Sequence, residues 1–147
     1  MTVQLHTLPN GLRIVTEHMP GLQSAALGVW VNAGGRHERL EQNGIAHFLE
    51  HMAFKGTARR TALQIAEEIE DVGGYINAYT SREVTAYYAR VLQNDVPLAL
   101  DLIADILLNP SFDPREIEVE RGVTLQEIGQ AMDHPDDIIF DWLHEVA

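Results

Sequence analysis

The chain has 147 residues, of which 46% are hydrophobic, no cysteine and a formal net charge of −12. This length suits one domain with a core of normal size, and the absence of cysteine means that any bound metal must be held by His, Asp or Glu. The acidic balance argues against a nucleic-acid partner, and no apolar run reaches the roughly 18 residues that a bilayer-spanning helix needs, so we expect no membrane partner either.

The beginning of the chain predicts β-structure. Two short strands, at 3–8 and 12–17, are separated by Pro9-Asn10-Gly11. The Asn-Gly pair accepts the positive φ angles of a tight turn, so the two strands should form an antiparallel hairpin. A third strand is predicted at 24–31, where small and β-branched residues are frequent.

A helix over about 44–54, with Asn43 as its predicted N-cap, carries His47-Phe48-Leu49-Glu50-His51. At about 100° per residue, His51 lies about 40° from His47 around the helix axis, and Glu50 lies about 60° to the other side. Two neutral imidazoles at this spacing can hold Zn²⁺, and the carboxylate between them can act as a general base. The order His-x-x-Glu-His is that of the inverted zinc-peptidase motif. A surface helix with a polar stripe is the alternative.

The remainder of the chain predicts a second hairpin and four further helices. The predicted helices lie at about 61–72, 94–108, 113–132 and from 135 onward, and the strands at 75–80 and 84–92. Hairpins and helical runs are segregated along the chain and do not alternate strictly. This order predicts an α+β fold in which a mainly antiparallel sheet packs against helices.

The last predicted helix keeps an apolar face up to the final residues of the sequence. That face consists of Ile138, Ile139, Trp142, Leu143 and Val146. Such a helix packs on a part of the protein further along the chain, in which case the chain is truncated, or it docks on this domain as a terminal helix.

A catalytic zinc site needs a third protein ligand, and the helix predicted from Asp113 offers several glutamates. Glu120 and Glu127 are seven residues apart, so they share a face within about 20° and lie roughly 10 Å apart along the axis. One of them could bind the metal while the other accepts a hydrogen bond from the far N–H of a ligating histidine. The alternative for any one of these glutamates is a solvated acidic stripe.

Three separated segments resemble one family, the insulinase, pitrilysin and mitochondrial processing peptidase group of zinc metallopeptidases. The stretch from Asn43 to Thr57 resembles the motif helix of that family, and is closest to the processing-peptidase β-subunit branch and its bacterial relatives. The segment 120–128 resembles the place of the third zinc ligand, because Glu127 lies 76 residues after His51. The segment 73–83 is similar to the sheet-edge strand on which the family binds extended substrate.

The resemblance implies a role for each candidate residue. It implies that Zn²⁺ is held by His47, His51 and Glu127, that Glu50 is the general base, and that Glu120 is the supporting carboxylate. It also implies that a peptide substrate adds as a strand along Asn77, Ala78, Tyr79 and Thr80, with its backbone hydrogen-bonded to the sheet edge.

By the same resemblance, the protein is expected to be a zinc metalloendopeptidase of the processing-peptidase and pitrilysin type. Residues 1–147 would form its N-terminal zinc-binding domain. This domain is expected to be incomplete, so that the C-terminal part of the same protein, with a second similar domain, would be missing. A homodimer or heterodimer is a further possibility.

Two alternatives remain open. The chain could belong to a non-catalytic scaffold subunit of the same fold, although such subunits tend to lose motif residues and all four are present here. The chain could also bind metal without turning over peptide.

Residues 1–10 lack a basic region followed by an apolar core, so we expect a bacterial cytoplasmic location, with an organellar matrix as the alternative.

Overall fold

The computed structural model of the chain describes residues 3–146, apart from the side chains at 137, 141 and 144. It contains five strands and five α-helices in these residues, with short 3-10 turns between some of them. The strands are β1 (Val3–Thr7), β2 (Arg13–Glu17), β3 (Ser24–Val31), β4 (Tyr75–Thr80) and β5 (Thr85–Leu92). The helices are α1 (Ile45–Ala53), α2 (Ala62–Asp71), α3 (Val96–Leu108), α4 (Pro114–Asp133) and α5 (Pro135–Val146). The predicted α+β class is confirmed.

All strand pairs are antiparallel and form two separate sheets. β1 and β2 make an exposed hairpin, as the Asn10-Gly11 turn predicts. The other sheet has the order β3-β5-β4, with Tyr87 of β5 opposite both Val29 of β3 and Ala78 of β4. Within the described residues, β4 is therefore an edge strand that runs beside α1.

The hydrophobic core lies on one face of the three-stranded sheet. Because side chains alternate between the faces of a strand, Tyr87, Ala89 and Val91 of β5 all point to this side and are buried. They pack against α2 and α3. The fully buried residues of α3 recur at helical spacing and are Ala99, Leu102, Ile103 and Ile106. The opposite face of the sheet is open and carries exposed Trp30, Tyr75 and Tyr79.

The N-terminus of α1 is capped differently from the sequence prediction. Asn43 is not the N-cap; Gly44 occupies that position, with a φ of 92° and no side chain to accept a hydrogen bond. The carboxylate of Glu38 instead accepts hydrogen bonds from the Gly44 and Ala46 N–H groups, each at 2.7 Å. The Asn43 prediction was wrong because a more distant carboxylate, brought back by the preceding loop, occupies the capping role.

The apolar face of α5 is largely exposed in the described part of the chain. α5 adjoins α4, yet four of its large hydrophobic side chains expose between 57% and 82% of their surface: Ile139, Trp142, Leu143 and Val146. The alternative in which this face is buried on the domain is therefore not observed. No helix within residues 3–146 is long and apolar enough to cross a membrane.

A buried carboxylate ties the segment after α1 to α3. Asp105 is completely buried and accepts four side-chain hydrogen bonds. The donors are Thr57 Oγ1 at 2.8 Å, Arg60 Nη1 at 2.9 Å, Arg59 Nε at 3.1 Å and Asn109 Nδ2 at 3.2 Å. Burial alone would raise the pKa of Asp105, but these hydrogen bonds outweigh it and lower the pKa to about 2.

We expect the Asp105→Asn substitution to reduce the free energy of unfolding by roughly 1.5–3 kcal/mol, because a neutral amide replaces a fully buried carboxylate that accepts hydrogen bonds from Arg59 and Arg60. Denaturant unfolding followed by circular dichroism measures the change. The matched control is Glu118→Gln, which removes an exposed ion pair with Arg121 and should cost no more than about 1 kcal/mol. Equal costs for the two variants would contradict this assignment.

The contribution of Asp105 should also depend on pH. Its pKa in the folded state, about 2, lies below the value of about 3.9 for an unperturbed aspartate, so the unfolded state binds the proton more readily. The stabilisation is therefore complete above about pH 4 and is lost as the pH falls towards 2. The difference in unfolding free energy between wild type and Asp105→Asn should shrink over this interval. A difference that grows on acidification would refute this.

Candidate active site

The helix α1 places His47 and His51 one turn apart on the same side. Their Nε2 atoms are 3.2 Å apart, and the ring centroids are 4.6 Å apart with the planes inclined at 73°. This is the i, i+4 neighbourhood that the sequence predicts. Both side chains are partly exposed, His47 more than His51.

The long helix α4 brings Glu127 to the two imidazoles. Glu127 Oε2 lies 3.6 Å from His47 Nε2 and 3.6 Å from His51 Nε2. In a tetrahedral zinc site with ligand bonds near 2.0–2.1 Å, neighbouring ligand atoms are about 3.3 Å apart. The triangle of 3.2, 3.6 and 3.6 Å is close to this size, so the three donors fit a single zinc ion.

Glu120 contacts the other side of His51. Its Oε2 is 3.1 Å from His51 Nδ1, and its side chain exposes only 4% of its surface. A carboxylate at Nδ1 favours the tautomer that carries its proton there and leaves Nε2 free to bind a metal. The geometry thus agrees with Glu127 as ligand and Glu120 as supporting carboxylate, and these roles stay predictions.

Lys55 is a residue of this site that the sequence reasoning missed. Its Nζ lies 2.6 Å from Glu120 Oε1, so Glu120 bridges the lysine and His51. Burial raises the pKa of Glu120, but the hydrogen bonds from Lys55 and His51 prevail and hold it below its usual range. Helical spacing gave no signal for this contact, because Lys55 lies outside the predicted helix at 44–54 and beyond the end of α1 at Ala53.

Glu50, the predicted general base, is held from the neighbouring strand. Thr80 Oγ1 of β4 donates a hydrogen bond of 2.5 Å to Glu50 Oε2. Tyr87 also lies near: its burial, and then the negative charge of Glu50, raise the pKa of Tyr87 to about 12, so its phenol stays neutral. Neither contact was anticipated from the sequence.

The four predicted substrate-binding residues lie on the edge strand β4, and their side chains alternate. Asn77 and Tyr79 are exposed, whereas Ala78 is buried and Thr80 faces α1. Asn77 Oδ1 accepts a hydrogen bond of 2.8 Å from the Ala78 N–H, and Asn77 Nδ2 donates one of 2.5 Å to the Tyr75 hydroxyl. The main-chain N–H of Ala78, on the strand predicted to bind substrate, is therefore hydrogen-bonded to the Asn77 side chain.

A family model described as insulinase (peptidase family M16) matches residues 13–147 of the chain. An uncharacterized zinc protease of Bacillus subtilis is 48% identical over 145 residues, which cover 99% of this chain and 36% of that protein. The mitochondrial-processing peptidase subunit beta of Saccharomyces cerevisiae is 50% identical over 140 residues, which cover 95% of this chain and 30% of the yeast subunit.

A solved structure has a similar fold. The crystal structure of a protease from Helicobacter pylori superposes with a TM-score of 0.88 at 28% sequence identity, covering 95% of this chain and 34% of that one. The chain thus spans 30–36% of the length of these three proteins.

We expect the Glu120→Gln substitution to weaken zinc binding by about 10-fold to 100-fold, because the neutral amide orients His51 less firmly and leaves Lys55 without its counter-charge. A competition titration with a chromophoric chelator, made on the complete protein, measures the dissociation constant. Glu118→Gln on the exposed side of the same helix is the control and should bind zinc as wild type does. A wild-type affinity for Glu120→Gln would rule out the supporting role.

Proposed function

The chain belongs to the insulinase family of peptidases, and we propose that the complete protein is a zinc-dependent endopeptidase that cleaves extended or unfolded peptides. The observation that carries this proposal is the triangle of His47 Nε2, His51 Nε2 and Glu127 Oε2, with a further carboxylate, Glu50, on the same helical turn. Relatives named as zinc proteases support the choice of metal.

Zinc bound by these three donors would supply a Lewis acid, which polarises a peptide carbonyl and makes a water molecule more acidic. The two histidines and Glu127 would bring only one negative charge to the ion, so the ion with these three ligands would keep a net positive charge. Glu120 holds His51 in the tautomer that the site needs.

Glu50 is proposed to take a proton from the attacking water and to pass it to the leaving amine. A carboxylate is suited to both steps because it can accept and return one proton within a single turnover. Thr80 donates to one oxygen of this carboxylate, Oε2, which leaves the second oxygen available for the proton.

Substrate is proposed to bind by adding a strand to the outer edge of β4, with main-chain hydrogen bonds along Asn77, Ala78, Tyr79 and Thr80. Binding through the backbone requires an extended peptide and depends little on its side chains. The Asn77 amide would first have to release the Ala78 N–H. The net charge of −12 favours basic peptides over acidic ones.

The remaining assignments concern the whole protein. We propose that residues 1–147 are its N-terminal zinc-binding domain and that a C-terminal part with a second, similar domain completes the substrate site. Relatives named as beta subunits make a homodimer or heterodimer a natural arrangement. Some relatives are mitochondrial by name and others come from bacteria, so an organellar matrix or a bacterial cytoplasm is proposed.

A comparison of the complete protein with residues 1–147 tests the two alternatives, a non-catalytic scaffold subunit and a metal-binding but inactive fragment. If the complete protein binds zinc and cleaves an unstructured peptide, the scaffold-subunit alternative fails. If residues 1–147 alone bind zinc without cleavage, the chain is a metal-binding but inactive fragment of that enzyme. Zinc content by atomic absorption and cleavage of a quenched fluorescent peptide, measured on both chain lengths, give the answer.

The sharpest test of the mechanism is Glu50→Gln in the complete protein. The amide has the shape of the carboxylate but cannot accept the proton, so we expect kcat to fall by about 10²-fold to 10⁴-fold while one equivalent of zinc is retained. Glu67→Gln, which changes an exposed glutamate of α2, is the matched control and should keep the wild-type kcat. Unchanged turnover in Glu50→Gln would remove the general-base assignment.

A further inference from the structure

We propose that the hydroxyl group of Thr80 is a positioning element for the Glu50 carboxylate, separate from any contact of the Thr80 main chain with substrate. This inference rests on the proposed function, since Glu50 is its general base. Thr80 would then have two roles. Its backbone lies on the edge of β4 that is proposed to bind substrate, and its side chain points towards Glu50 on α1.

The hydrogen bond itself is the first observation. Thr80 Oγ1 lies 2.5 Å from Glu50 Oε2 and 3.5 Å from the carbonyl oxygen of Ala46. A hydroxyl has a single proton, and the shorter contact is to a charged acceptor, so the proton points to Glu50. Among the hydrogen bonds of the described residues, this is the one that reaches the Glu50 carboxylate.

The second observation is that Thr80 is fixed from two directions. On β5, Thr85 pairs with it as the last residue of the β4–β5 register. Beyond it, the Ser81 carbonyl accepts a hydrogen bond from the Gly35 N–H at 3.2 Å, and a Cβ atom at Gly34 would lie only 2.4 Å from that carbonyl oxygen. The backbone that carries the Thr80 hydroxyl is therefore held by its pairing with β5 and by the close packing of Gly34 and Gly35 on Ser81.

The third observation is the freedom that Glu50 would otherwise have. Its side chain has three rotatable bonds, whereas the Glu120 carboxylate is held by contacts with both Lys55 and His51. A general base works only within hydrogen-bond reach of the proton it removes. Without Thr80 Oγ1, Glu50 would spend part of its time in rotamers that point away from the site.

The test compares Thr80→Val, Thr80→Ser and Thr85→Val in the complete protein. Valine has the shape of threonine but no hydroxyl, so we expect kcat to fall about 10-fold to 100-fold, with KM and zinc content unchanged because the strand backbone and the ligands remain. Serine retains the donor and should restore most of the rate. Thr85→Val makes the same chemical change at the residue that pairs with Thr80. The Thr85 hydroxyl donates to the carbonyl oxygen of Ala33 and not to Glu50, so this variant should keep kcat within about 3-fold of wild type.

A crystal structure of each zinc-free variant gives a readout that does not depend on activity. We expect the Glu50 side chain to occupy one rotamer in wild type and Thr80→Ser, and several in Thr80→Val. An ordered, unmoved Glu50 in Thr80→Val, or an unchanged kcat, would overturn the inference. A wild-type protein that cleaves no peptide would instead refute the proposed function, while the Glu50 rotamers would still decide the role of Thr80.

Discussion

The contact between α1 and α4 at Glu120 is the constraint on which the rest of the site depends. A buried carboxylate is costly unless its oxygens are paired, and here one oxygen contacts Lys55 and the other His51. His51 is in the last turn of α1 and Lys55 lies two residues beyond its end, so the pairing of Glu120 with both of them fixes which face of α4 is turned towards α1. Glu127, two turns further along α4, is thereby directed to the two imidazoles.

Charged groups also hold α1 at its two ends. At the N-terminus, the Glu38 carboxylate binds two main-chain N–H groups and complements the positive end of the helix dipole. After the C-terminus, Asp105 binds the side chains of Thr57, Arg59 and Arg60 and so ties that segment to α3. None of these contacts involves a metal. The histidines are therefore presented by a helix whose position is set by the protein itself.

Most of the fold could be predicted because its signals are local and periodic. The β4–β5 hairpin, the α2 capping box at Thr61 and the N-cap of α4 at Asp113 all follow from residues a few positions apart. The pairing of His47 with His51 is equally local. Choosing Glu127 as the third ligand needed the family resemblance, because the residues alone left Glu120 equally eligible.

What the sequence could not provide depends on chain segments that meet only in the folded protein. Glu38 displaces Asn43 from the capping role through a loop whose path no local pattern specifies. The hydrogen bond from Thr80 to Glu50 joins a strand to a helix 30 residues earlier. Periodicity places Thr80 on one face of β4, yet the partner on that face is decided by tertiary packing.

The origin of the three metal donors on two helices has a consequence for folding. His47 and His51 share one helical turn, so any transient α1 offers two donors, whereas Glu127 joins them only when a loop of 76 residues closes. A metal held by all three would thus cross-link distant parts of a chain that has no cysteine with which to form a disulfide. Binding of the ion would favour the folded state, in which α1 and α4 are in contact, over the unfolded chain. The ion would then stabilise the fold in addition to supplying chemistry at the site.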